Sequence, residues 1–139
     1  MRNLVIIAAT ISLAFSGNFE RNNNTQTVAE TKSGLIWEDD ISTSTQKISF
    51  KSALIFCNEL RIDGMRGWRL PSSTELATII DTTRTPTINQ TFRHTVGGGY
   101  WSSDKADHGA IVAWIDFLDG SAYNGSGADR YLYVRCVRK

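Results

Sequence analysis

The sequence predicts an α+β domain, and three observations carry that prediction. Phe50, Ala53, Leu54, Cys57 and Leu60 repeat apolar residues at three and four, the spacing of one buried helix face. The second half instead alternates polar and apolar residues and is broken by Gly97-Gly98-Gly99, Asp119-Gly120 and Gly125-Ser126-Gly127, as short hairpin-linked strands are. Helices early and strands late set the helices against an antiparallel sheet, in contrast to the alternation that builds a parallel one.

Taken in order, Met1-Arg2-Asn3 is a short cationic start and Leu4 to Phe15 an apolar run of the length of a signal-peptide core, too short to span a bilayer. Residues 1–16 are expected to be a signal peptide cut after Ser16, with an uncleaved anchor or a buried element of the domain as alternatives. Export to the periplasm or the cell surface follows, with no membrane span after cleavage. Residues 17–32, with Arg21-Asn22-Asn23-Asn24-Thr25-Gln26-Thr27 at their centre, have no period and are expected to be a polar linker. The domain is placed at residues 33–139.

Within it, Ser33-Gly34 is a turn, Leu35-Ile36-Trp37 a short strand, and Glu38-Asp39-Asp40 its acidic exit. A helix from about Ser49 to Leu60 follows, then a loop with two turn glycines, then Trp68-Arg69-Leu70-Pro71, extended and stopped by proline. Ser72-Ser73-Thr74-Glu75 is a capping box, in which the Ser72 hydroxyl accepts from the Glu75 amide while the Glu75 carboxylate reaches back, so a second helix runs from Ser73 to about Ile80. Tyr100 to Ser103 and Ala110 to Leu118 are strands; Asp119-Gly120 signals a hairpin, and Ser121 to Asn124 returns. The last strand spans Arg130 to Val137, with Leu132, Val134 and Cys136 inward and Tyr131, Tyr133 and Arg135 on the other side.

The chain has 15 Lys+Arg against 14 Asp+Glu, and Arg2 is the one charged residue of the leader, so the mature chain is formally neutral. That balance gives no electrostatic footprint for a nucleic-acid partner. Cys57 and Cys136 are the only cysteines, and an even count in an exported chain favours a disulfide, here one that would staple the first helix to the last strand. Buried free thiols are the alternative; a redox pair needs closer spacing, and a zinc site would need His94 and His108 without the usual paired spacing.

Gly34-Leu35-Ile36-Trp37, Cys57-Asn58-Glu59-Leu60, Gly67-Trp68-Arg69-Leu70-Pro71 with Glu75-Leu76, Tyr100-Trp101-Ser102-Ser103, Ala113-Trp114 and Tyr133-Val134-Arg135-Cys136-Val137-Arg138 stand in an order that resembles the Lcl C-terminal domain family, a bacterial family. The resemblance covers Ser33 to Lys139. It implies a C-type lectin-like fold, in which two helices flank small twisted antiparallel sheets and a disulfide joins the first helix to the last strand. The Arg69-Leu70-Pro71 and Glu75 block is also similar to formylglycine-generating enzymes. Those use a pair of reactive cysteines that hold copper, and this chain has both cysteines at positions matching the structural bridge.

No constellation points to catalysis. His94 and His108 stand in polar segments without a nucleophile elbow and are expected at the surface. Gly97-Gly98-Gly99 lacks the residues of a phosphate loop. Lectins of the implied fold hold calcium, but Asp104, Asp107, Asp116, Asp119 and Asp129 are scattered and no ligand block of that kind is present, so no cofactor is assigned, with calcium as the alternative. Trp37, Trp68, Trp101 and Trp114 sit beside apolar residues and are expected in the core. Asp104, Asp107 and His108, with Tyr123 and Asn124, are the candidate ligand-binding residues, placed on polar loops. The expected function is a non-catalytic module binding a surface glycan or an envelope protein. A structural or assembly component of the envelope is the alternative, and a formylglycine-generating type of oxidase the second.

Overall fold

The computed structural model describes residues 18–127 and 129–139. The expected signal peptide, residues 1–16, lies outside the described residues. The elements run β1 (Phe19–Asn22), β2 (Thr27–Glu30), β3 (Leu35–Glu38), α1 (Ser42–Thr45), β4 (Lys47–Ile48), α2 (Phe50–Glu59), α3 (Ser73–Ala77), β5 (Gly99–Ala106), β6 (Ile111–Asp116), β7 (Ser121–Ser126), β8 (Leu132–Tyr133) and β9 (Val137–Arg138). They form two small sheets, one in the order β1-β2-β3-β9 and one in the order β4-β8-β5-β6-β7. Pairing is antiparallel except at Tyr100 and Tyr133, where β5 and β8 run parallel. The class is α+β, as the sequence predicts.

The expected linker is part of the domain. Residues 19–30 form a hairpin added to β3, with Phe19 and Val28 in the core and Val28 fully buried. The polar run between them is its turn: Asn22 Oδ1 accepts from the amides of Asn24 and Thr25, and Gln26 takes a left-handed φ of 56°. Two apolar anchors suffice here because β3 already supplies the surface they cover.

Helix α2 starts where Ser49 accepts from the Ser52 amide and buries Ala53 and Cys57, whereas Leu54, expected on the buried stripe, is 39% exposed. At α3 the capping box is complete: Ser72 Oγ accepts from the Glu75 amide at 3.0 Å, and Glu75 Oε1 accepts from the Ser72 amide at 2.8 Å. Arg69 adds a two-pronged bond to the Glu75 carboxylate at 2.8 and 2.9 Å. The helix stops at Ala77, short of Ile80, because Ile79 turns into the core and Ile80 bridges Ile88.

The expected final strand is divided. Leu132–Tyr133 belongs to the five-stranded sheet and Val137–Arg138 to the four-stranded one, so the segment between them ties the two sheets together. Cys136 in that segment bonds Cys57 of α2, with Cα atoms 5.5 Å apart across 79 residues of sequence. A closure of that length stabilises by about 4 kcal/mol on the chain-entropy account. The expected alternation fails at Arg135, which is buried between Val134 and Cys136. All four tryptophans are in the core, from Trp37 and Trp101, fully buried, to Trp114 at 8% exposure. Among the described residues no helix is long and apolar enough to cross a membrane.

Candidate functional site

Of the five candidate ligand residues, Asp104 lies on β5 and Tyr123 and Asn124 on β7 in place of the expected loops, while Asp107 and His108 stand at the turn joining β5 to β6. Asp104 belongs to β5, which carries a register shift between Trp101 and Lys105 opposite β6. That irregularity re-aims the strand's end, as bulges do, and the Asp104 carboxylate accepts from the amide and the hydroxyl of Ser73 at the start of α3. Asp107 and His108 form the tip joining β5 to β6. Both take left-handed φ values, 53° and 55°, followed by Gly109 at 91°, and the Ala110 amide closes the turn on Asp107 O at 3.0 Å. Both side chains are exposed.

Tyr123 and Asn124 are consecutive in β7, so they project to opposite faces of the sheet. Asn124 pairs with Ala113 and shares with Asp104, Lys105, Ile111 and Ala113 an open hollow of about 280 Å³. Tyr123 stacks on Trp114 on the other face, with ring centroids 6.3 Å apart at 18°. Arg130 lies over the same indole at 4.6 Å and donates from Nε to Ser126 O at 3.0 Å. The Tyr123 hydroxyl donates to Asp119 Oδ2 at 3.0 Å. Bonds from the Ser121 amide and Tyr123 hold the Asp119 carboxyl below its usual range, and the same bond raises the Tyr123 phenol above its own.

Asp104 and Asn124 are therefore brought together, and Tyr123 is not. Asp107 and His108 stand at the rim: their neighbours Gly109 and Ala110 line a separate cleft of about 540 Å³ with Phe50, Val112 and Ser126. Sequence reasoning missed Lys105, Ile111 and Ala113 as walls of the hollow; strand periodicity marks Ile111 and Ala113 as sharing one face, but nothing local shows that face to be open.

The strongest electrostatics lie elsewhere. Asp39, in the acidic exit of the β3 strand, is fully buried and accepts from Arg135 Nη1 at 2.9 Å, Arg21 Nε at 2.6 Å, and the amides of Arg93 and His94 at 2.8 and 3.1 Å. Burial alone would raise its pKa; the Arg135 charge and these bonds overcome that and lower it. The neighbouring Glu38, buried and beside Asp40, is pushed up to about 8. It accepts from the Cys136 amide at 3.1 Å and from Ser42 Oγ at 3.0 Å. Arg135 also packs over the rings of Phe92 and Tyr100 at 4.8 and 5.7 Å and donates to His94 O at 2.6 Å. This cluster is closed to solvent and fastens the two sheets; it has no open face for a substrate.

Among the described residues no three His, Cys, Asp or Glu side chains come together as a metal site. Asp104 is engaged with Ser73, Asp116 with the Leu118 amide, and Asp119 with Ser121 and Tyr123. Both cysteines are in the disulfide, and none is free among the described residues. A family model described as the Lcl C-terminal domain matches residues 26–138. No curated protein matches the chain.

Proposed function

The chain belongs to the Lcl C-terminal domain family, and from that premise we propose that it is an exported, non-catalytic module that binds a surface glycan or protein. Its fold is read as C-type lectin-like, a reading supported by the bond from α2 to the C-terminal segment. The observation that carries the function is the convergence of Asp104 and Asn124 on one open hollow at the end of a stapled sheet. A carboxylate and a carboxamide across an apolar floor of Ile111 and Ala113 suit hydroxyl and amide groups of a ligand over a small apolar face. The shallow form favours part of a larger chain, such as one sugar of a glycan or one loop of a protein.

The Cys57–Cys136 bond argues against a formylglycine-generating type of oxidase, because it leaves no thiol for that chemistry. An array of surface glycans and envelope proteins, probed with the folded chain with and without EDTA, tests the proposal. Binding that persists in EDTA supports a direct contact through Asp104 and Asn124. Binding abolished by EDTA would instead assign the recognition to a cation, and no binding up to millimolar concentration would remove the proposal.

A further inference from the structure

Residues 40–46, which include α1, connect β3 of one sheet to β4 of the other. No apolar side chain holds them down. Ile41, the one apolar residue of the segment, is 61% exposed, and the one buried residue of α1 is Thr43. Polar bonds fasten the segment instead: Thr43 Oγ1 donates to Asp40 O at 2.6 Å and lies 3.1 Å from His94 O, and the Tyr100 hydroxyl donates to Thr43 O. A unit with so little apolar burial opens separately from the sheets beneath it.

The heavy atoms beneath this segment imply a proton. Ser42 Oγ stands 2.7 Å from Asp40 Oδ1 and 3.0 Å from Glu38 Oε2, and a hydroxyl has one hydrogen to give. With Glu38 ionised, that hydrogen would have to serve two carboxylates. With Glu38 as the neutral acid each contact has its own: Glu38 donates to Ser42, and Ser42 to Asp40. The other Glu38 oxygen accepts from the Cys136 amide. Burial and the Asp40 charge favour the same neutral form and push Glu38 up to about 8. The other charged or titratable groups packed about it are engaged elsewhere: Arg135 bonds the Glu38 carbonyl, Asp39 and His94 O, Arg21 bonds Asp39, and Tyr100 bonds Thr43.

We propose that residues 40–46 are a proton-latched strap: the hydrogen that Glu38 gives to Ser42 holds the segment closed, and the segment lifts from the sheets when that proton passes to solvent. In the closed strap an ionised Glu38 would face Asp40 across one hydroxyl, with no cation paired to either carboxylate among the described residues. In the open strap water reaches both. Opening is therefore favoured progressively as pH rises from the ordinary carboxyl value of 4.5 towards 8, above which both forms have lost the proton and nothing further changes. The strap shares no residue with the hollow at Asp104 and Asn124 and does not depend on what binds there.

Amide hydrogen exchange of the full chain from about pH 5 to about pH 9, corrected for the intrinsic rate, tests this. The amides of Thr43, Ser44 and Gln46, bonded within the strap, should lose protection about tenfold per pH unit up to about 8 and then level off. Low urea should leave them unchanged while it lowers the protection of β6 amides, which exchange when the sheets unfold. Glu38→Gln keeps a donor at Ser42 without the titration and should give high protection with no slope. Asp40→Asn should move the levelling to lower pH. The infrared band of a protonated carboxyl, present in the parent at about pH 6 and absent from Glu38→Gln, reports the hydrogen directly. Strap protection that is flat in the parent, a slope that survives Glu38→Gln, or strap and β6 amides falling together in urea overturns the proposal, as does a parent chain without that band.

Discussion

Arg135 Nη1 stands 2.9 Å from Asp39 Oδ1 with both side chains fully buried, joining the segment before β9 to the end of β3 across 96 residues of sequence. Arg21 closes the other carboxylate oxygen at 2.6 Å. Replacing Arg135 by Met leaves Asp39 buried with one cationic partner fewer. The variant is expected to lose about 3 kcal/mol of stability, read as a lower urea midpoint with an unchanged slope. Arg135→Lys should recover little of that, since one ammonium cannot reach Asp39, Glu38 O and His94 O in the same plane.

Glu38 gives the fold a pH dependence of the opposite sense to most paired carboxylates. Its folded pKa, about 8, lies above the ordinary value of 4.5 because burial and Asp40 disfavour the charge. Below pH 4.5 both folded and unfolded forms hold the proton and nothing is lost. Between 4.5 and 8 the unfolded form releases it first, so stability falls by about 1.4 kcal/mol per pH unit through this group. Glu38→Gln is expected to flatten that part of the urea-midpoint profile and to be more stable than the parent at pH 8. Asp39, whose pKa is lowered, works the other way: its contribution is present at neutral pH and is lost as acid protonates it.

Reduction of the Cys57–Cys136 bond, or its removal by Cys57→Ser with Cys136→Ser, is expected to cost about 2–5 kcal/mol. The check is the thermal midpoint with and without reductant; the double variant should show a low midpoint insensitive to it.

The hairpin of β1 and β2 belongs to the core. Val28→Ala should destabilise by about 2 kcal/mol, and Phe19→Ala by somewhat more, in denaturant titration. Removal of residues 1–32 exposes Leu35 and Trp37 and should prevent folding, whereas a linker there would leave the midpoint unchanged.

That hairpin also shows where sequence reasoning stops. Phe19, Val28 and Ala29, the apolar side chains of the sixteen residues 17–32, carry no period, and only the presence of β3 makes them strand residues. The same limit hides the Asp39 cluster: Glu38-Asp39-Asp40 and Arg135 look like solvent-facing charge until the fold sets them side by side. What local chemistry governs was legible. The Ser72 and Glu75 capping box, the four tryptophans, the α2 face carrying Cys57, and the turn at Gly120, where φ is 78°, all stand as their residues dictate. The turn is longer than Asp119-Gly120 suggests, running between Asp116 and Ser121 with the Gly120 amide bonded to Asp116 O at 2.8 Å. At the candidate site the chain region was legible and its geometry only partly so. Tyr123 and Asn124 are neighbours in sequence, and for that reason they face opposite sides of β7.

The central claim is that Asp104 and Asn124 form a recognition surface. The most direct measurement is titration of whichever glycan or protein the array returns against the parent chain and Asn124→Ala, with both proteins shown to unfold at the same urea midpoint. The account predicts saturable binding by the parent and a loss of about tenfold or more in the variant, the worth of one or two hydrogen bonds made by the carboxamide. Equal affinity for the two proteins would contradict it.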